Sequence, residues 1–439
     1  MKTFRLLPLF VAVSVALALP VQAQSLVDLY QSARGFDASY QSAKSQYEAT
    51  LAKADQARAA ILPTTGLSAG VSRTHLENNN PVSDRSYGSQ SVTLSASQPL
   101  YRPANSASYE QGKKQVGLAQ AQLTSAEQDL IVRTSQAYFD VLASQDSLTF
   151  VRAQKAAVAE QLASAKRNFE VGTSTITDTR EAQARFDLVM AQEIAAENEL
   201  RVRQIALDQL VGKSDAKPQS LAQPLALPAL LPNDVNVWVA QSVAEHPGIR
   251  QTQIALEVAQ LETKKAEAGH RPTLDLTGTY NITQNNGSSG GNADFRTNAA
   301  TIGLSFNLPL FAGFATQNRI RETLALEDKA RNDLEGAKRA VAQSTRIAFF
   351  GVLSGQGQVK ALEAAEASSQ SALDANKLGY QVGVRINIDV LNAQSQLFDT
   401  KAKLAKARYD VLLGGLRLRQ ANGTLKADDL QGVNTLLAK

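Results

Sequence analysis

The sequence of 439 residues contains no cysteine and only three histidines, His75, His246 and His270. A chain without cysteine has no disulfide framework, thiol nucleophile or thiolate metal site. The histidines show no metal-ligand spacing, and no phosphate-binding glycine motif, nucleophile elbow or convincing Ser/His/Asp grouping occurs. We therefore predict no catalytic residue, no cofactor and no metal site.

Long apolar runs are also absent beyond the first 23 residues. Lys2 and Arg5 precede an apolar run over residues 6–19, and small residues precede a cleavage position after Ala23. The run is shorter than the roughly 20 residues that a membrane-spanning helix requires. The pattern predicts a signal peptide over residues 1–23, and an uncleaved anchor is the alternative.

A strong net charge is missing as well. Removal of Lys2 and Arg5 with the signal peptide lowers the formal net charge from +4 to +2. A chain this close to neutral gives no indication of nucleic-acid binding or of a basic membrane-surface protein.

Proline is absent from residues 104–165, and glycine is scarce there. At 1.5 Å per residue, a helix of this length would be a rod of roughly 90 to 100 Å. Residues 213–232 contain four prolines and are expected to form a linker, and the tail after Gly423 is expected to be loosely ordered. Further helices are predicted over residues 25–60, 178–212 and 234–268, and from about residue 316 onward.

The last long helix carries a heptad repeat, in which large apolar residues recur every seven positions and small residues follow three positions later. This alternation is typical of a narrow coiled-coil seam that a neighbouring helix approaches closely. The preceding helix keeps the same register but has Glu366 at one seam position, which predicts a polar break. The large residues are Val390, Leu397, Leu404, Val411 and Leu418, and the small ones are Ala393, Thr400, Ala407 and Gly414.

Two turns with the same sequence pattern are predicted, and each connects one long helix to the next. Gly172 precedes Asp178 by six residues, as Gly383 precedes Asp389. Each glycine suits the left-handed position that ends a helix, and each aspartate lies at the positive end of the next helix. The turns are 211 residues apart, and other matched pairs are 209 or 210 apart, which predicts a tandem duplication. The repeats are expected over about 24–212 and 234–423.

Each repeat contains two segments in which apolar residues alternate with small or polar ones, the period of a β-strand. Residues 74–90 are expected to form a solvated loop between the first two strands. Pro63, Pro99, Pro272 and Pro309 are expected to mark the changes between helix and strand. Proline lacks a backbone N–H and restricts the residue before it, so a regular element tends to end there. The strands are predicted near residues 64–73, 91–100, 272–283 and 299–308.

Four short amphipathic strands suit an outer-membrane barrel, although a strand of a soluble sandwich shows the same alternation. The signal peptide, and the pairing of the strands with long helices, favour the barrel. Four strands cannot close on themselves, and lipid does not tolerate an open sheet edge, so we expect several chains to share one barrel. Three chains would supply twelve strands, the smallest such assembly that we expect to leave an opening.

The sequence resembles the TolC-like outer-membrane efflux and type I secretion channels over essentially the whole mature chain. Residues 169–178, 268–276, 380–393 and 421–425 carry the resemblance best. The resemblance implies a mainly α-helical chain with a membrane β-barrel portion: a trimeric 12-stranded barrel continued by a long α-helical coiled-coil tunnel. It also implies a homotrimer in the outer-membrane lipid of a Gram-negative bacterium, a periplasmic adaptor (membrane fusion) protein and an inner-membrane pump of ABC, RND or MFS type.

The resemblance further implies a gate at the periplasmic tips. Tyr380 and Arg385 match the inner-tip residues of the family that bond to the first-repeat tip, where Thr177 and Asp178 match the partners. Charge-assisted bonds of this kind are the stronger ones. Taken from the residues alone, Asp178 and Asp389 are better explained as helix-start residues and Tyr380 as the last residue of the seam, and it is the resemblance that favours the gate.

Asp389 matches a position whose three copies surround the aperture in the family, where like carboxylates would attract cations. The second carboxylate position of the family pattern is occupied here by Asn392. One ring instead of two predicts weaker block by cations.

The sequence thus predicts a trimeric exit duct of a tripartite efflux pump or a type I secretion system. A secreted or surface coiled-coil protein with a structural or adhesive role explains the heptads but not four strands at duplicated positions. A periplasmic enzyme would need a substrate turnover that no motif indicates. The sequence does not distinguish small toxic compounds from a secreted polypeptide as the cargo.

Overall fold

The computed structural model describes residues 23–79, 82–222, 226–288 and 291–438. Apart from Ala23, the predicted signal peptide lies outside these ranges. In chain order the elements are α1 Leu26–Phe36, α2 Ala38–Ala59, β1 Thr64–Asn79, β2 Val82–Tyr101, α3 Pro103–Glu170, α4 Ile176–Val211, α5 Val235–Glu245, α6 Pro247–Glu267, β3 Thr273–Ser288, β4 Gly291–Asn307, α7 Ala315–Gln381, α8 Asn387–Ala421 and α9 Asp429–Asn434.

The same series of elements occurs twice. Two short helices lead into a β-hairpin, a very long helix leaves the hairpin, and a helix of about half that length returns from the tip. The long helices α3 and α7 contain 68 and 67 residues, and the returning helices α4 and α8 contain 36 and 35. At 1.5 Å per residue, α3 and α7 are each about 100 Å long.

Each long helix is flanked along its length by shorter ones. Helix α3 packs against α2 and α6 on the side of the sheet and against α4 and α8 toward the tip. Helix α7 packs against α6 and α8 in the same way. The predicted seam is buried between α7 and α8: Val390, Leu397, Leu404, Val411 and Leu418 all lie in the core.

The four strands form one antiparallel sheet in the order β1-β2-β3-β4. The predicted loop over residues 74–90 is wrong, because β1 continues to Asn79 and β2 begins at Val82. Most residues in this part of the hairpin are polar, Leu76 and Tyr87 being exceptions, so no apolar alternation marks them. Backbone hydrogen bonds pair the two strands, and His75 contacts Ser86 across them at 3.1 Å. Strands β3 and β4 likewise extend beyond their predicted ranges.

The main core lies near the middle of the long helices, where α1, α3, α4, α8 and the C-terminal segment meet. The prediction of a loosely ordered tail after Gly423 is wrong: Leu425, Leu430 and Leu437 are buried there. The predicted linker is also ordered in part, since Gln24 pairs with Pro218 and residue 221 pairs with Leu437. Leu430 and Val433 are buried on α9, and Leu437 is buried where it pairs with residue 221, so these side chains attach the tail to the core. Among the described residues, no helix is both long enough and apolar enough to cross a membrane.

Candidate functional site

The sheet has one apolar face and one polar face. Leu67, Leu94 and Tyr280 lie side by side across three strands, and the rows next to them are mostly apolar. These side chains are not covered by the rest of the chain, and Val71 and Ile302 are each 83% exposed. On strand β3 the apolar residues run from position 274 to 282, about 27 to 30 Å at 3.3 Å per residue. Nine residues is about the length that a tilted barrel strand needs to cross the hydrocarbon core of a membrane.

The opposite face of the sheet carries small and polar residues. Ser68, Thr93 and Asn281 form one row of this face, and the hydroxyl of Thr93 donates to Oδ1 of Asn281 at 3.2 Å. The neighbouring rows consist of serine, threonine and glycine. A face of this composition suits contact with water, so the sheet can separate lipid on one side from an aqueous lumen on the other.

The bend from the first hairpin into α3 is held by an ion pair on the polar face. The guanidinium of Arg102 donates to both carboxylate oxygens of Asp275 at 2.7 and 2.6 Å. Because Arg102 belongs to the first repeat and Asp275 to the second, the pair fastens the two repeats together at the base of the sheet.

At the far end, the first tip joins α3 to α4. Gly172 adopts φ of +77°, and Thr175 caps α4 in a capping box with Asp178. Oδ2 of Asp178 accepts from the hydroxyls of Ser174 and Thr175 and from the Thr175 amide, at 2.7 to 3.0 Å. Burial of Asp178 opposes its ionisation, but these hydrogen bonds outweigh burial and lower the pKa of its carboxyl.

The second tip joins α7 to α8 through a turn of the same kind. Gly383 adopts φ of +80°, and the amide of Val384 donates back to the carbonyl of Gly379 at 2.9 Å. Arg385 forms an ion pair with Asp389 at 3.6 Å. The hydroxyl of Tyr380 accepts a hydrogen bond from Nδ2 of Asn168 at 3.3 Å, which connects the second tip to α3.

The predicted gate residues lie at the two tips, as expected, but are not joined to one another in the described part of the chain. The partners found for Tyr380 and Arg385 are Asn168 and Asp389. Thr177 is exposed, and Asp178 is engaged in its own capping box. The gate therefore stays a prediction.

The two predicted aperture residues lie at the start of α8, Asp389 in its first turn and Asn392 in the next. Asp389 is partly exposed, and Asn392 is exposed. Oδ1 of Asn392 accepts a hydrogen bond from the guanidinium of Arg185 on α4 at 2.8 Å. A cationic group therefore stands beside the position where the family pattern has its second carboxylate.

Sequence analysis missed Asn387, which is fully buried at the first position of α8. Its amide donates to the carbonyl of Asp178 at 3.2 Å, and its Oδ1 accepts from Gln161 on α3. Leu391 and Gln394 follow Asn387 at helical spacing and are also buried. These three residues, spaced by four and then three positions, form a second buried stripe on α8. Their spacing in the sequence indicates that α8 packs against other helices besides α7, and in the structure these are α3 and α4.

Both tips also expose apolar side chains at the end of the helical rods. Val384 is 75% exposed, and several neighbours on both turns are exposed as well. An exposed apolar cluster beside polar residues is typical of a protein interaction surface. The other members are Phe169, Val171, Ile176, Leu378, Val382 and Ile386.

A sheet that faces lipid on one side and water on the other, extended by rods of about 100 Å, defines a membrane duct that reaches far beyond the bilayer. Residues 29–213 and 238–424 match the family model for outer membrane efflux proteins. The chain belongs to the outer membrane efflux protein family. The predicted class, a mainly helical channel protein with strands for a barrel, is confirmed.

Relatives and solved structures agree with this assignment. The chain is 34% identical over 432 residues to outer membrane protein TolC of Vibrio cholerae, covering 98% of each protein. It is 30% identical over 419 residues to the alkaline protease secretion protein AprF of Pseudomonas aeruginosa, covering 93% of this chain and 86% of AprF. The crystal structure of outer membrane protein VceC from Vibrio cholerae matches with a TM-score of 0.77 at 19% identity, covering 91% and 96% of the two chains.

The protein is thus an outer-membrane exit duct of a Gram-negative bacterium that serves efflux or type I secretion. Within the described ranges, no group of three His, Asp or Glu side chains is placed to hold a metal ion.

Proposed function

We propose that three copies of the chain form a passive exit duct whose periplasmic end is closed by the hairpin tips. The observation that carries the proposal is the four-stranded sheet, with its lipid-compatible face, its polar face and two unpaired edge strands. Lipid does not tolerate those edges, so β1 and β4 require neighbours. Three chains give twelve strands, enough for a lumen.

The duct has no energy source of its own in this proposal. An inner-membrane pump of ABC, RND or MFS type would drive transport, and a periplasmic adaptor would connect that pump to the tips. The exposed apolar residues of both tips support such docking, because they would be buried by a partner. Since relatives include both an efflux channel family and a protease secretion protein, the cargo is either a class of small toxic compounds or a secreted polypeptide.

The gate consists of bonds that hold the second tip, the inner hairpin, against its neighbours. The side chains of Tyr380 and Arg385 on the second tip form these bonds, and their partners are Thr177 and Asp178 on a first tip. Arg385 is largely exposed, and the ion pair that it forms with Asp389 in the described part of the chain is long, at 3.6 Å, so its guanidinium remains able to pair with a neighbouring chain. A partly solvated bond of this kind contributes about 1 kcal/mol, which a docking adaptor can overcome.

The test is single-channel conductance in planar bilayers. The double variant Tyr380→Phe with Arg385→Ala is expected to raise conductance, because it removes the bonds that hold the aperture closed. Arg331→Ala is the matched control, since Arg331 also forms an i,i+4 ion pair on α7, with Glu327, but lies far from the tip. Unchanged conductance of the double variant in intact trimers would refute the gate and leave the duct itself standing.

A further inference from the structure

The polar face of the sheet changes in character along the strands. Four successive rows above the base, from the row of Thr64 to the row of Gly70, contain no residue other than serine, threonine, glycine, alanine and asparagine. None of these side chains extends far from the backbone. Nearer the hairpin turns the same face carries large side chains instead, namely Leu76, Arg85, Tyr87 and Phe295.

The strand register places two aromatic rings on this face. Phe295 lies opposite Asn285 and belongs to the row of Ser72 and Ser89, and Tyr87 lies opposite Thr74 in the next row outward. Because side chains alternate between the two faces, both rings point to the polar side of the sheet. Phe295 is 43% exposed and Tyr87 is partly exposed, as expected for rings that project from a sheet rather than into a core.

The duplication of the hairpins relates these residues in height. Leu94 of β2 and Leu304 of β4 are 210 residues apart, and each faces a leucine of the preceding strand. By the same offset Phe295 is the equivalent of Arg85. Equivalent residues of the two repeats would lie at one level around the axis of the proposed trimer. Tyr87 lies two residues closer to the base, a distance of about 7 Å.

The large side chains lie at the outer limit of the lipid-facing band. In the row of Val71, the lipid face already carries Gln90, Gln284 and Arg296. Each hairpin has just two residues between its strands, 80–81 and 289–290. A connection of this length is too short to fold across the end of a barrel as a loop. Side chains of the strands therefore determine the width of the outer mouth, the end of the barrel at the hairpin turns.

We propose that Tyr87 and Phe295, together with Arg85, form an outer constriction that limits the size of solutes entering the lumen from outside. This inference rests on the proposed trimer, which supplies three copies of each side chain. Twelve strands about 4.8 Å apart and tilted by about 40° enclose a backbone diameter of about 24 Å. Rings that project from opposite sides narrow such a bore, whereas serine and threonine leave it wide.

Thiol labelling from outside tests the outer constriction, because the chain has no natural cysteine. Conductance is less suitable, since the proposed closed tips would limit the current. Ser91→Cys places one thiol on the polar face, about 13 Å inside Tyr87. In intact cells a small charged methanethiosulfonate should label this thiol readily. A maleimide attached to a polyethylene glycol chain of several kilodaltons should label it slowly, and a gel shift measures the rate.

Removal of the two rings should admit the polymer. In the Ser91→Cys background, Tyr87→Ala with Phe295→Ala is expected to raise the rate of polymer labelling about tenfold or more, with little change for the small reagent. Tyr280→Ala with Phe306→Ala is the matched control, because it removes the same two residue types from the lipid face. It should leave both rates unchanged. Tyr87→Trp enlarges the ring and should slow the polymer further.

The outcomes separate this inference from the proposed duct. Equal polymer rates with and without the two rings would overturn the outer constriction and leave the duct standing. An equal rise in the lipid-face control would also overturn it, because general loosening of the barrel would then explain the effect. If even the small reagent fails at Ser91→Cys, while trimers persist in detergent gels and Glu77→Cys near the turns is labelled, the aqueous lumen and hence the duct are refuted.

Discussion

A half-buried carboxyl group beside the main core illustrates how single residues set the stability of this protein. Asp146 on α3 accepts a hydrogen bond from the hydroxyl of Tyr409 on α8 at 2.6 Å. Burial raises the pKa of Asp146, and the bond from Tyr409 offsets only part of this effect. The folded protein therefore holds the Asp146 proton more tightly than the unfolded chain does. It follows that this group costs stability as the pH rises through the interval between its unfolded and folded pKa values.

We expect Asp146→Asn to raise the thermal midpoint of the detergent-solubilised protein at pH 8, because it keeps an acceptor for Tyr409 and removes a buried charge. The gain should shrink as the pH falls, because the raised pKa of Asp146 lets its carboxyl take up a proton at a higher pH than in the unfolded chain. Tyr409→Phe is the complementary variant and should destabilise more at pH 8 than at pH 4, since it removes the donor that stabilises the carboxylate. Equal shifts of the midpoint at both pH values would contradict this account.

The residues that sequence patterns located correctly are those with a local cause. Gly172, Gly383 and Asp178 follow from turn and helix-start chemistry within a few positions of the chain. Asn387 and Arg185 escaped notice because their roles depend on a groove between α3 and α4, into which α8 packs. The buried stripe that begins at Asn387 indicates a second packed face of α8, but its spacing does not identify the partners on α3 and α4, and no spacing marks Arg185.

At the scale of elements, the α7–α8 seam shows how a heptad pattern becomes a close helix contact. The predicted polar break is present, as Glu366 on α7 stands 3.9 Å from Lys401 on α8. Nearer the start of α7 than this break, the two helices approach closely, and a Cβ added to Gly355 would lie 2.9 Å from Cγ2 of Val411. Small residues at such positions set the distance between the two helices.

Gly355→Ala is therefore expected to lower the free energy of unfolding by about 1 to 3 kcal/mol, the usual cost of overpacking a core contact. Gly357→Ala, two residues along the same helix, meets nothing within 4 Å and should raise it by up to about 1 kcal/mol through helix propensity. Denaturant unfolding can be followed by the fluorescence of Trp238, the single tryptophan, which packs against Phe349 and Val352.

Val411→Ala supplies the rescue for this prediction. In the double variant with Gly355→Ala, the clashing methyl group is gone, so the combined loss should be smaller than the sum of the single losses. Strict additivity would show that the close contact does not limit the seam.

The helices were easier to predict than the strands and the tail, for a physical reason. Heptads and the absence of proline mark α3, α7 and α8 over many turns. The outer parts of β1 and β2 are mostly polar on both faces, so no apolar alternation in the sequence marks them as strands, and only their backbone pairing shows it. The C-terminal segment carries its apolar residues over too short a stretch to show a period, yet it completes the main core.

At the scale of the whole molecule, three copies would bring the aperture residues together around one axis. Asp389 would contribute one ring of carboxylates, while Asn392 is bonded to Arg185. Because Arg185 would pair with an introduced carboxylate, restoring the second acidic position does not by itself create a second anionic ring. The net charge of the aperture therefore depends on Arg185 of α4 as well as on the residues of α8 that line it.

We expect Asn392→Asp alone to change the divalent cation concentration for half-maximal block of conductance by less than about twofold. Asn392→Asp with Arg185→Gln should lower that concentration about tenfold or more, corresponding to at least about 1.4 kcal/mol of binding. Arg185→Gln alone is the control and should leave the block nearly unchanged. A full effect of Asn392→Asp by itself would show that Arg185 does not neutralise the position.

The near-equal lengths of α3 and α7, 68 and 67 residues, have a consequence for assembly. Because both rods start from the same sheet, their turns end at a common level. In a trimer, six turns would then lie at the same distance from the sheet, and turns of the first and second repeat would alternate around the axis. Adaptor subunits bound at this end would contact two different kinds of tip, one from each repeat. If one long helix were lengthened without the other, the tips of the two repeats would no longer lie at one level, and an adaptor could not contact both kinds at once.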